Sequence, residues 1–485
     1  MTFLDPNLWQ GKINSNGWQT GKGGDLKVTE PATGAILGTL GLATSDDVRL
    51  AAERAAEAQV QWAQTPPSQR AAVLRRAAAL WEENANEIAQ WIVREAGSTR
   101  AKAKIEVEVA AAECWEASTL PLHPAGDVLS TDEKRWSIAR HIPVGVVSVI
   151  APFNFPLILS IRSVAPALAL GNAVLLKPDP RTSVSGGVVL SRVFEEAGLP
   201  PGLLSLLPGH ADVGEAVVVD PHVRVVSFTG STAAGRRVGQ TAAEHLKRAH
   251  LELGGNNALV VLQSADLEKA VSAGAFGSFM HQGQICMATG RHLVHASLYE
   301  RYCAALADTA KNLPVGDPAQ ENVMLGPIID QRQLDGIDAV VRASVDAGAS
   351  VLAGGRPSGP FYPATVIADL DDKSPAWNNE IFGPVAPVRS FETLDEAAAI
   401  VNASEYGLAV GILGDVGEAM LLADRVAAGK VHINDQTVAD EAQAPFGGTG
   451  ASGTGTRFGG SRANIEAFTE TQWVTVRPSI GDYPF

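Results

Sequence analysis

Only three cysteines occur in 485 residues, Cys114, Cys286 and Cys303, and no two of them form a CxxC pair. A disulfide framework is excluded at this length, and the usage suits a reducing cytosol, so a cytoplasmic location is expected. Any special thiol acts alone. The ten histidines have no metal-ligand spacing, and GxSxG, HExxH and Walker glycine-loop patterns are missing. Serine hydrolases, zinc proteases and P-loop enzymes are therefore poor readings, and no metal is expected. Positive charge is short too: 38 Lys and Arg against 53 Asp and Glu leave a formal net charge of −15. A nucleic-acid partner needs a basic surface, and the short clusters "RAAVLRR" and "HLKRAH" read as solvated helix faces.

The opening "MTFLDPNLWQGK" lacks a basic n-region and an apolar h-region, so no secretory signal is expected there. One stretch, "IPVGVVSVIAPFNFPLILSI" from Ile142 to Ile161, carries no charge. Its length suits a bilayer helix, yet Pro143, Pro152 and Pro156 each remove a backbone donor and Asn154 would sit unsatisfied in lipid. A buried strand, a turn and a helix start is the reading, with no membrane partner. The 46% hydrophobic content over this length predicts sizeable cores in two or three domains.

From Ser68 to Gly97 the apolar residues recur at helical spacing, which predicts one amphipathic helix with Ser68 as N-cap and Gly97 as its stop. Downstream, short β-rich runs such as "GVVSVIAP", "AVLLKP" and "VRVVSFTGS" alternate with helical segments at 157–171, 183–198 and 232–243. Alternation of that kind predicts a parallel sheet covered by helices, with ligands at the carboxyl ends of the strands. A second α/β lobe runs from Glu252 to Phe446, and the irregular 120–137 segment reads as a hairpin leaving the first lobe.

Several short segments have room for chemistry. Gly448, Gly450 and Gly453 make a formal GxGxxG, but no strand precedes it and no helix opens from it, so a flexible loop near the lobe interface is the better reading. In "VRVVSFTGSTAAGRRVG" a strand runs into Gly230 and Ser231 and then into a helix, whose first amides suit a phosphate or dinucleotide. Lys177 ends another strand, Asn154 sits in the rigid turn "APFNFP", and Glu252 precedes two glycines where partial desolvation raises a carboxyl toward the range of a general base. A solvated lysine, a turn asparagine and a surface glutamate are the plain alternatives. Cys286, in "HQGQICMATGR", reads on base rates first as a small buried apolar residue and only second as a nucleophile, and its position alone does not change that order.

Taken in order, "PFNFP", "LLKPDP", "FTGST", "LELGGNN", "GQICMA", "EIFGP" and "PFGG" resemble the aldehyde dehydrogenase superfamily, from about residue 25 to the C-terminus. The resemblance implies an α/β subunit of three parts. A Rossmann-like NAD(P) domain would span 1–119 and 138–251, a catalytic α/β domain 252–446, and an oligomerising β-arm 120–137 and 465–485, with 447–464 as a return segment. It implies a homodimer or homotetramer acting on a small aldehyde with NAD or NADP. By the same resemblance Cys286 is the nucleophile, Glu252 the general base and Asn154 an oxyanion donor. Lys177 and Glu380 would bind ribose hydroxyls, Gly230 and Ser231 would lie near the pyrophosphate, and Ala151, Pro152, Phe153 and Phe382 would line the cofactor.

Two positions depart from the common pattern. NAD-preferring members often carry a glutamate three residues after the cofactor lysine, where this chain has Pro180, which leaves NADP open. Arg162 stands where many relatives place an aromatic residue along the substrate tunnel. "NFPLILSIRS", "KPDPRTSVSGG" and "HQGQICMATGR" look most like the benzaldehyde and vanillin dehydrogenase branch, which implies an aromatic aldehyde bounded by Phe153, Phe155, Arg162, Ile285, Met287 and Phe446. The alternatives are an aliphatic or semialdehyde dehydrogenase, a coenzyme A-acylating relative that Glu252 speaks against, and a non-catalytic protein that keeps the fold.

Overall fold

In the computed structural model, which describes residues 2–485, β-branched strands and the helices between them build two lobes. The first centres on a seven-stranded sheet in the order 248–252, 223–229, 146–150, 173–177, 204–206, 12–14, 18–20. Its first five strands run parallel, and an antiparallel hairpin closes the far edge. Val146–Ile150 and Ala173–Lys177 are buried along their whole length, as strands covered on both faces must be. The second sheet, in the order 350–353, 365–368, 385–391, 289–295, 257–261, 409–413, 430–433, is parallel except at its first strand. A third sheet pairs Thr469–Val476 with Trp136–Pro143 and Gly126–Val128, all antiparallel.

The uncharged stretch at 142–161 is the end of one strand, the strand Val146–Ile150, a turn and the start of the helix Pro156–Ala169, with Pro156 at its first turn. Among the described residues no helix is long and apolar enough to cross a membrane.

The expected single helix at 68–97 is two helices, Pro67–Glu83 and Ala85–Ala96. Asn84 breaks the run at φ −111°, ψ 15°, with its side-chain amide donating to the Leu80 carbonyl at 2.8 Å. Ser68 is not the cap, since Pro66 takes that position and Pro67 opens the helix; Gly97 does end it, at φ 63°. The segment at 183–198 starts as a π-helical turn, Val184–Val188, before Val189–Glu196 continues as α-helix. The buried Glu95 carboxylate accepts from the Val184 and Ser185 amides and the Ser185 hydroxyl, which gives this irregular start its partners.

The glycine-dense segment is a strap held by backbone contacts, where the composition suggested a free loop. Phe446 and Phe458 exchange backbone hydrogen bonds, the Leu253 amide donates to the Ser452 carbonyl, and Gly453 bridges Glu252. A Cβ on Gly453 would lie 2.8 Å from the Leu251 carbonyl oxygen, so only glycine allows this approach.

Candidate active site

Register brings the site together. In the first sheet Ile150 pairs with Lys177 and Phe228, and Thr229 pairs with Glu252, so Lys177, Gly230 and Glu252 finish at one carboxyl edge beside the turn at 151–155. The second sheet presents its opposite end there: Cys286 lies three residues before the strand Thr289–His295. The second lobe thus meets the first at the carboxyl edge of the first sheet, where an open parallel sheet binds ligands.

The chain reaches Cys286 through three successive left-handed residues, His281, Gln282 and Gly283, at φ 47°, 56° and 64°. Two of these are not glycine, and such backbone persists only where its surroundings hold it. Gln282 Nε2 donates to the Gly97 and Pro327 carbonyls at 3.0 and 2.9 Å, and Gln284 Oε1 accepts from the Ile329 amide at 3.1 Å. Asn257 Nδ2 donates to the carbonyls of Cys286 and Ala288, both at 2.8 Å, while its Oδ1 accepts from the Ala409 amide. The thiol is therefore carried on a rigid turn. It is half-buried, and burial pushes it up to about 12, with Lys430 the foremost group opposing that rise.

Asn154 is 2% exposed and lines the same cleft as Cys286. Its carbonyl accepts from Lys102 Nζ at 2.7 Å, and Lys102 is paired with Glu106 at 2.5 Å. Glu106 in turn accepts from the Leu157 amide at 2.8 Å, at the start of the helix that follows the turn. Neither the Asn154 side-chain amide nor the Cys286 backbone N–H is engaged by another hydrogen bond among the described residues. Two such donors near one thiol can receive a developing oxyanion.

Glu252 is 4% exposed and neither carboxylate oxygen has a hydrogen-bond partner. Burial holds its pKa well above the ordinary carboxyl range, against the pull of Arg457, Arg162 and Lys430. Such a group is a stronger proton acceptor than an exposed carboxylate.

Around Cys286, Ile285, Met287, Leu408 and Phe446 form an apolar cluster against which Phe155 packs. Arg162, 4% exposed, stands 4.7 Å over the Phe446 ring and is held by Glu113 at 3.0 Å and Asp440 at 2.5 Å. Its charge is neutralised, so this departure from an aromatic tunnel residue adds a satisfied ion cluster behind Phe446. Phe153 lies elsewhere: Arg181 stacks on it at 4.1 Å and Phe382 meets it edge-on at 5.8 Å, beside the cofactor cleft.

That cleft, about 750 Å³, is lined by Ala151, Pro152, Phe153, Lys177, Gly230, Ser231, Cys286, Glu380 and Phe382 among others. Another cleft, of about 1120 Å³ beside Glu82, Arg94 and Lys104, contains none of them. Lys177 is 8% exposed with no carboxylate within 4 Å, and burial lowers its pKa. Glu380 Oε1 accepts from the Gly255 amide at 3.0 Å, and burial pushes its carboxyl to about 7. A Cβ on Gly254 would stand 2.1 Å from Glu380 Oε2, so the glycine makes room for that side chain. Ser231 caps the helix Thr232–Glu244. A buried unpaired ammonium, a carboxylate and a capped helix start in one cleft fit the hydroxyls and pyrophosphate of a dinucleotide.

Sequence reasoning passed over Lys102, Glu106, Asn257 and Lys430. Opposite charges at i, i+4 such as Lys102 and Glu106 carry no mark of burial in the sequence, and Lys430 follows "AAG" with no local signal at all.

The chain matches the model of the aldehyde dehydrogenase family over residues 18–474. It is 61% identical over its full length to the full length of a vanillin dehydrogenase of Amycolatopsis sp.. It is 47% identical to the benzaldehyde dehydrogenase [NAD(+)] of Pseudomonas putida, with 99% of this chain and 98% of that one covered. A salicylaldehyde dehydrogenase from Pseudomonas putida G7, solved with salicylaldehyde, superposes with a TM-score of 0.95 at 33% identity, covering 98% of this chain and 99% of that one. With its sheets, its thiol turn and its cleft arranged in this way, the chain belongs to the aldehyde dehydrogenase family.

Proposed function

We propose that this NAD(P)-dependent aldehyde dehydrogenase oxidises an aromatic aldehyde, of the benzaldehyde or vanillin type, to its carboxylic acid. The observation that carries the reading is the setting of Cys286: a lone thiol on the wall of the cofactor cleft, backed by Ile285, Met287, Phe155 and Phe446 and accompanied by two free donors. A flat apolar ring fits such a cluster, and the names of the two relatives support the same class.

The Cys286 sulfur forms a bond to the aldehyde carbon as its proton passes to a base. Burial keeps the thiol neutral at rest, so a proton acceptor raised in pKa, as Glu252 is, suits the step. Charge builds on the carbonyl oxygen, and the Asn154 side-chain amide and the Cys286 backbone N–H stabilise it, each by about 3 kcal/mol. Lys177, Glu380 and the helix start at Ser231 would hold NAD or NADP, which would accept the hydride from the aldehyde carbon. The acyl group then rests on Cys286 as a thioester. Once Glu252 has released the thiol proton to solvent it removes a proton from water, the water oxygen bonds to the acyl carbon, and the carbon–sulfur bond breaks, the leaving sulfur taking up a proton to restore the thiol.

NAD(P)H formation, followed by absorbance with benzaldehyde, vanillin and aliphatic semialdehydes and each cofactor, tests the reading. Aromatic aldehydes should be turned over best, and Cys286→Ala should abolish the signal while Cys303→Ala keeps it. Far better turnover of aliphatic semialdehydes would defeat the aromatic assignment.

We further propose that the sheet of 126–128, 136–143 and 469–476 joins subunits into a homodimer or homotetramer. Trp136, 65% exposed, shares one face of it with Val128 and Val476, and Trp473, 63% exposed, lies on the other, which leaves apolar surface on both faces to cover. A cytoplasmic location is supported by the three unpaired thiols, and cell fractionation tests it.

A further inference from the structure

Lys430 is a half-buried cation that feels the carboxylates of Asp440 and Glu252 without a direct ion pair to either. Its ammonium donates to the Met287 sulfur at 2.6 Å and to the Ala439 carbonyl at 3.1 Å, and no carboxylate lies within 4 Å of it among the described residues. One proton of the ammonium is left without a partner. It stands 4.3 Å over the Phe446 ring, on which Arg162 also stacks at 4.7 Å. Arg162 Nη1 is fully buried and has no hydrogen-bond partner either, although its other nitrogens are bound by Glu113 and Asp440. Phe446 is thus flanked by two cations, each with an unused donor, inside an otherwise apolar cluster that includes Cys286.

The Met287 sulfur, one carbonyl and the field of Asp440 and Glu252 offset the desolvation of this ammonium and still leave its last proton without an acceptor. That unused donor beside an apolar wall is matched by a ligand of mixed character. The ligand must be apolar over most of its surface and carry an oxygen acceptor at one edge.

We propose that Lys430 is a specificity residue that selects ring aldehydes bearing a phenolic oxygen, which the ammonium receives while the ring lies among Met287, Ile285 and Phe446. The proposal rests on the aromatic-aldehyde reading and deepens it. Arg162, locked by its carboxylates, keeps Phe446 in place and prevents the wall from becoming negative through Asp440 and Glu113.

The test compares kcat/KM for 4-hydroxybenzaldehyde and vanillin with that for 4-methylbenzaldehyde, which has the same outline but no oxygen. A hydrogen bond to a charged donor corresponds to a preference of about tenfold or more for the phenolic substrates. In Lys430→Met the ratio should fall to about one, whatever happens to the rate common to all substrates, and Lys430→Arg should keep most of it. A loss of packing alone lowers all rates together and leaves the ratio in place. Equal rates for the wild-type protein, an unchanged ratio in Lys430→Met, or stronger preference for 4-carboxybenzaldehyde would overturn the proposal while sparing aromatic oxidation. Turnover of aliphatic aldehydes alone would overturn the aromatic reading, and this proposal with it.

Discussion

Replacing Lys102 with Met should loosen the active site from behind. Lys102 and Glu106 are 1% and 0% exposed in their side chains, and the ammonium joins the Glu106 carboxylate at 2.5 Å to the Asn154 carbonyl at 2.7 Å. Removing the cation strands a buried carboxylate, a change that ordinarily costs about 3–5 kcal/mol. The Leu157 amide at 2.8 Å still donates to Glu106, so the lower end, about 3 kcal/mol, applies here. For a chain of this length the unfolding entropy is about 1 kcal/mol per degree, and the melting temperature should fall by about 3 °C. Asn154 also loses the anchor of its backbone, so kcat should drop by about tenfold, in keeping with the sensitivity of oxyanion donors to position. The decisive comparison is Lys102→Met with the double variant Lys102→Met and Glu106→Gln, by calorimetry and steady-state kinetics. Neutralising the stranded carboxylate should restore most of the melting temperature but not kcat. A shift below 1 °C in the single variant, or a double variant no more stable than the single, would refute the argument.

Two further outcomes are expected. Because burial raises the Glu252 pKa, the base is protonated and idle below that value, so kcat/KM should climb as pH rises through it. Glu252→Gln should flatten that limb, slow the burst of NAD(P)H and cut steady-state turnover by about 10²–10⁴-fold, and an unchanged pH profile would exclude the assignment. Replacing Trp136 and Trp473 together with Glu should split the assembly to a smaller species in light scattering after gel filtration. An unchanged mass would show that this sheet is not the subunit contact.

Much of the fold is legible from local pattern because the strands 146–150, 173–177 and 223–229 are short, mainly apolar runs bounded by turn residues. The break at Asn84 is not, since the hydrophobic spacing continues across it and only the departure of one residue's backbone ends the helix. The same holds for the glycine-dense strap: its composition suggests freedom, and the backbone contacts that pin it to Leu251 and Leu253 come from some two hundred residues away. Cys286, Glu252 and Asn154 each sit in a short segment with visible glycines or prolines, so candidates are found, though their residue types alone leave a buried thiol, a surface carboxylate and a turn amide open.

Residue type and spacing were enough to indicate an α/β chain, to make zinc-protease, P-loop and disulfide-framework readings poor ones, and to offer one thiol, one carboxylate and one amide as candidates. Which of these meet, and in what electrostatic setting, was settled by tertiary structure. Parallel register aligns Lys177 and Glu252 at one edge although 75 positions separate them. Burial then changes what each group can do: it raises Glu252 and Cys286, lowers Lys177, and makes Lys102 the support of Asn154. Desolvation depends on everything packed around a group, and no stretch of neighbouring sequence contains that information.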